Sequence, residues 1–144
     1  MTTISFDVPG KARGKARPRT VRTGKGGVRT YTPDPAGWCK LVTELGVKAR
    51  QEAKAGITDA PVHLEIHIFY AMPKTWPQKL KDAMRGEYAV RTPDTVNVAA
   101  AVKDALERVL FQNDKQVADL LVDRVWADEH RTYIEVRYSE EVMS

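Results

Sequence analysis

The chain has 144 residues, 42% of them apolar, enough for one buried core and too few for two ordinary domains. Its longest apolar runs are only a few residues, which excludes a membrane-spanning helix, and the single Cys39 excludes an intramolecular disulfide. The net charge of +4 is uneven: from Lys11 to Arg29 lie eight basic residues and no acidic one, against fifteen basic and nineteen acidic elsewhere.

In chain order, Met1 is followed by neither a basic start nor an apolar stretch, so no signal peptide is expected and the expected compartment is a reducing cytoplasm. Ile4, Phe6 and Val8 alternate with Ser5 and Asp7, which predicts a short half-buried strand ended by Pro9-Gly10. The basic arm, 11–29, follows, and its glycines at 24–27 read as the tip of a hairpin or long loop. Such an arm on an acidic body suits a polyanionic partner, because lysine and arginine neutralise phosphates and release counterions. Asp34 can cap a helix that has Pro35 at its first position and runs to about residue 55 before Gly56, with Trp38, Leu41, Val42, Leu45 and Ala49 as its apolar stripe.

Val62, Leu64, Ile66 and Ile68 alternate strictly with His63, Glu65 and His67, a second strand. Trp76-Pro77 opens a short charged helix to about residue 85, and 86–92 reads as irregular. From Asp94 to about residue 110 the pattern is helical, with Val98, Val102, Ala105, Leu106 and Val109 on one face. Asn113-Asp114 marks a turn. Segments 117–126 and 132–138 read as strands joined through Asp128-Glu129-His130. The order, roughly ββαβααββ, predicts one α/β or α+β domain over 1–144, a mixed sheet flanked by helices.

At about 100° per residue, Asp94, Asn97, Ala101, Asp104 and Arg108 share one side of the third helix, and Asp114 can fold back near its flank. Converging carboxylates repel unless a cation sits between them, and oxygen ligands with retained waters suit magnesium. Asp94 is equally a helix N-cap and Asp104 equally an exposed helix residue. His63, Glu65 and His67 on one strand face have the residue types of a zinc site, and also those of a wet sheet face. Cys39, without a CxxC partner, reads as a core or half-buried thiol.

Val8-Pro9-Gly10-Lys11, Gly14-Lys15-Ala16-Arg17-Pro18-Arg19 and Thr30-Tyr31-Thr32-Pro33 resemble the opening motifs of the RusA family, the phage-type Holliday-junction resolvases. The resemblance continues through Met72-Pro73-Lys74-Thr75-Trp76 and Thr92-Pro93-Asp94-Thr95-Val96-Asn97, the latter set against the family's K-P-D-x-D-N. It closes with Lys103-Asp104-Ala105-Leu106 and Phe111-Gln112-Asn113-Asp114-Lys115-Gln116-Val117, set against D-A-L and W-x-D-D-x-Q-[IV]. It implies a small homodimeric endonuclease that binds four-way DNA junctions and cuts them with Mg²⁺, Mn²⁺ being a substitute, in recombination and repair. A phage or prophage origin in a bacterial cytoplasm goes with it, and no membrane partner. Asp94 and Asp114 would be catalytic and, with Asp104 or Asn97 as a further ligand, would hold the metal. Lys11, Lys15, Arg17, Arg19, Arg22 and Tyr31 would position the DNA, since phosphate contacts give affinity without reading sequence. Val96 stands where the family has its second aspartate and Ala100 where it has a lysine; neither side chain ligates a metal or stabilises developing charge. A junction-binding protein with weak or lost cleavage is the alternative.

Overall fold

Period-two alternation of apolar residues generates the main sheet, and the runs of 3.6-residue periodicity generate the helices laid across it. The computed structural model describes residues 1–139. Its strands are β1 (Thr2–Pro9), β2 (Arg19–Arg22), β3 (Val28–Tyr31), β4 (Val62–Ala71), β5 (Val117–Ala127) and β6 (Arg131–Tyr138). Its helices are α1 (Trp38–Glu52), α2 (Gln78–Met84) and α3 (Thr95–Leu106), with single 3₁₀ turns at Pro35–Gly37 and Asp114–Gln116.

The main sheet has the order β1-β6-β4-β5; β4 and β5 run parallel, and the other neighbours are antiparallel. The chain is thus a single α+β domain with a mixed sheet, as the patterning predicts. Val62, Leu64, Ile66, Ile68 and Tyr70 of β4 are buried, together with Ile4 and Val8 of β1 and Ile134 and Val136 of β6. Val42, Val98, Val102 and Leu106 belong to the same core cluster. Each such aliphatic side chain contributes about 1.5–3 kcal/mol on leaving water. Gly46 lets α1 and α3 approach closely: a Cβ there would lie 2.8 Å from Leu106 Cδ2.

Two helix boundaries differ from the expected ones. Helix α1 starts at Trp38, because Ala36 (φ 57°) and Gly37 (φ 65°) take left-handed backbone just before it. Asp34 caps it all the same from outside: its Oδ1 accepts the Cys39 N–H (2.9 Å) and its Oδ2 the Lys40 N–H (3.1 Å). Helix α3 ends at Leu106, not near 110. Arg108 turns left-handed (φ 64°), and Val109, Leu110 and Phe111 are buried in succession, which no single helix face allows. Strands β5 and β6, consecutive in the chain, do not pair with each other, because β4 lies between them.

The arm forms an antiparallel β2–β3 ribbon exposed on both faces, closed by a turn in which the Gly26 N–H donates to Thr23 O (3.2 Å). No helix of the described residues is long and apolar enough to cross a membrane.

Candidate active site and nucleic-acid interface

Helix α3 carries Asp104 on its last turn and Glu107 as its C-cap residue. The 3₁₀ turn that carries Asp114 is held by a reciprocal cap. The Asn113 side chain accepts the Lys115 N–H (2.8 Å), and Gln116 Oε1 accepts the Asn113 N–H (2.8 Å). Gln116 Nε2 then donates to Thr58 O and Ala60 O, both at 2.9 Å, pinning the turn to the body. The outcome is that carboxylate oxygens of Asp104, Glu107 and Asp114 lie within 4.8 Å of one another.

The arm reaches this cluster. Gly14 packs against the start of α3, where a Cβ would lie 3.1 Å from both Pro93 Cβ and Asn97 Cβ, and the Lys15 N–H donates to Asn97 O (3.1 Å). The Lys15 ammonium sits 2.8 Å from Asp104 Oδ2. Its hydrogen bond to Asp104 and that carboxylate's charge, with Asp114 adding, hold its pKa above the ordinary lysine value. The cluster therefore already stabilises positive charge. Three hard oxygen donors in one place, part-exposed so that an ion keeps waters, fit Mg²⁺ or Mn²⁺.

Asp94 stands apart from this cluster. It is the N-cap of α3, its Oδ1 accepting the Asn97 N–H (2.8 Å), ten residues and about 15 Å of helix away from Asp104. Asp94 instead lines a groove with Arg91, Thr92, Asn97 and Arg124. Arg124 Nη1 donates to Pro93 O (3.3 Å) and also to Arg91 O. Positive charge gathers nearby. Lys11 is lowered by burial and then by Arg91 and Arg13, and His130 by burial and then by Arg91, Lys11 and Arg13.

Of the arm residues expected to meet DNA, Lys11 is half-buried in that basic group, Lys15 is paired with Asp104, and Arg17, Arg19, Arg22 and Tyr31 are exposed. Glu107, Arg13, Arg91 and Arg124 complete the two ends of the surface and were not among the residues expected. Glu107 follows Asp104 by three residues, a spacing that puts the two carboxylates side by side at the end of α3.

His63 Nδ1 pairs with Asp119 Oδ2 (2.6 Å) and His67 Nδ1 with Asp123 Oδ1 (2.8 Å) across the β4–β5 register, with Glu65 between the two rings. Both rings thus turn one nitrogen to an aspartate of β5 and the other to Glu65 (3.5 and 3.3 Å), a paired polar sheet face. Cys39 is half-buried, and burial followed by the nearby Asp34 carboxylate pushes its thiol up to about 11. Val96, 76% exposed, shares an apolar groove with Ala99, Ala100, Lys103, Leu120 and Val122, so Lys103 flanks the place of the replaced residues.

The family described as Endodeoxyribonuclease RusA matches residues 9–137 of this chain. The uncharacterized protein YqaN of Bacillus subtilis (strain 168) is 30% identical over 142 residues, covering 95% of this chain and 97% of its own.

Proposed function

The chain belongs to the RusA endodeoxyribonuclease family, and from that premise we propose that it binds four-way DNA junctions and cleaves them slowly with a divalent cation. One observation carries the proposal: the basic arm delivers Lys15 onto a cluster of three carboxylates contributed by α3 and the turn after it. Nuclease chemistry needs phosphate-binding charge beside a cation site, and these residues provide both.

Asp104, Glu107 and Asp114 would hold the cation, which, when bound, supplies Lewis-acid polarisation of the scissile phosphate and an acidified water. Lys15, freed from Asp104 as the cluster's charge is neutralised, meets the negative charge that develops on the phosphate. Arg17, Arg19 and Arg22 hold the backbone on one side, and Lys11, Arg13 and Arg91 hold it near the head of α3. Asp94 acts there, on the DNA groove, and not as a ligand of the same ion.

Two copies act together in this reading. The half of β5 beyond the 86–89 segment has an open edge with exposed Leu120 and Leu121, beside the Val96 groove, and Tyr88 and Val90 are 79% and 89% exposed. Exposed apolar side chains beside an unpaired strand edge suit a second copy related by a two-fold axis.

A second reading is motivated by Val96 and Ala100. With an apolar groove where the family has an aspartate and a lysine, the chain would hold junctions without turnover. The two readings separate in one experiment. Binding to a four-way junction is measured in EDTA against a linear duplex of the same sequence, then Mg²⁺ or Mn²⁺ is added and products are followed. Cleavage, faster with Mn²⁺, supports the first reading; tight, junction-selective binding with intact DNA supports the second.

A further inference from the structure

We propose that the cleft between the arm, α1 and α3 is a nucleotide pocket that takes one unstacked base from the strand lying over the Lys15–Asp104 site; this rests on the DNA-binding reading above. The cleft measures about 420 Å³. That is within the range of sites that enclose a small organic group, and far too small for a duplex.

Its walls are chemically sorted. Ala16 and Pro18 of the arm, Pro33, and Ala101 and Ala105 of α3 supply its apolar lining. Such rigid, flat apolar surfaces suit a planar ring, and they lose no side-chain freedom when one enters. Asp34 supplies the polar contact within the lining, since the Thr43 hydroxyl already donates to Ala105 O (2.8 Å). Asp34 is fixed by the two backbone N–H groups of α1, yet a carboxylate accepts about four hydrogen bonds, so it retains capacity for a ring amino group.

Charge decides which part of a nucleotide enters. Asp34 and Asp104 both line the cleft and oppose a phosphate inside it, whereas Lys15 and Lys40 also border it and attract the backbone. The base goes in and its phosphates stay with the lysines. Because Asp104 belongs at once to this lining and to the carboxylate cluster, the captured base is adjacent to the phosphate at the cation site. A branch point is also where extruding a base costs least, since stacking is already interrupted there. The pocket would therefore fix the position of the cut relative to the branch.

The test places 2-aminopurine singly at each nucleotide flanking the branch of a four-way junction and reads its fluorescence on binding in EDTA. The wild-type protein is expected to raise the fluorescence severalfold at one position. Ala105→Met, which fills the α3 wall, and Ala16→Met, on the arm outside the sheet, should each abolish that rise while still retarding the junction in a gel. A rise that survives both variants, or no rise at any position with the junction bound, overturns the pocket and leaves the DNA reading standing. Failure of the wild-type protein to bind the junction overturns both.

Discussion

Asparagine at position 94 keeps the cap that Asp94 Oδ1 makes to the Asn97 N–H, and removes only the charge. Asp94→Asn should therefore leave thermal stability unchanged but reduce cleavage, without weakening Mg²⁺ or Mn²⁺ binding measured by titration calorimetry. Asp94→Ala should in addition cost about 1 kcal/mol, roughly 2–4 °C in Tm. Loss of metal binding in Asp94→Asn would place this carboxylate at the ion after all. His67 gives a second residue-level test. Burial pulls its pKa down, but the Asp123 hydrogen bond and charge, with Glu65, outweigh this and leave it above 6.5. A histidine whose pKa is raised by folding contributes stability that is complete below the unfolded value and fades as pH rises through the folded one. Urea midpoints for the wild type relative to His67→Gln should then show a larger advantage at pH 5.5 than at pH 8. An advantage independent of pH would mean the Asp123–His67–Glu65 contact does not bind the proton more tightly than water does.

The arm is the element whose role was most legible and whose placement was least so. Its charge and its turn glycines announce an exposed basic hairpin, and β2–β3 is one. Nothing local says that Lys15 reaches Asp104, eighty-nine positions on, because that contact depends on Gly14 packing against Pro93 and Asn97. The converse holds for β4: strict alternation of Val62, Leu64, Ile66 and Ile68 fixes both its faces without any tertiary information. The end of α3 misleads because Val109 fits the helical stripe, while Arg108 and the buried Val109–Leu110–Phe111 run end it one turn earlier. Glu107, three residues after Asp104, was open to the same helical projection and is the cluster member that the reading passed over. If the arm meets phosphates, replacing Lys15, Arg17 and Arg19 together by alanine should weaken binding to all junction sequences alike. The slope of log affinity against log salt should flatten by up to about three units, at roughly 0.9 per contact. An unchanged slope would make the ribbon a solvated projection only.

At the scale of the whole molecule, basic residues run from the head of α3 along the arm to the carboxylate cluster, and exposed apolar side chains flank the open edge of β5. In the proposed function the first would hold DNA and the second would meet a second copy. Leu120→Lys places a charge in the groove beside Val96, so sedimentation should find dimer for the wild type at micromolar concentration and monomer for the variant, with the same circular dichroism spectrum. A wild-type monomer, with and without DNA, would remove the two-fold arrangement. The account as a whole turns on the three-carboxylate cluster, and Asp114 is the member whose removal leaves helix α3 and the arm contact to Asp104 untouched. The most direct measurement is therefore cleavage of a four-way junction in Mn²⁺ by the wild type beside Asp114→Asn, with binding followed in the same samples. The account predicts slow symmetric cutting by the wild type, none by Asp114→Asn, and equal retardation of the junction by both; cutting by Asp114→Asn at the wild-type rate contradicts it.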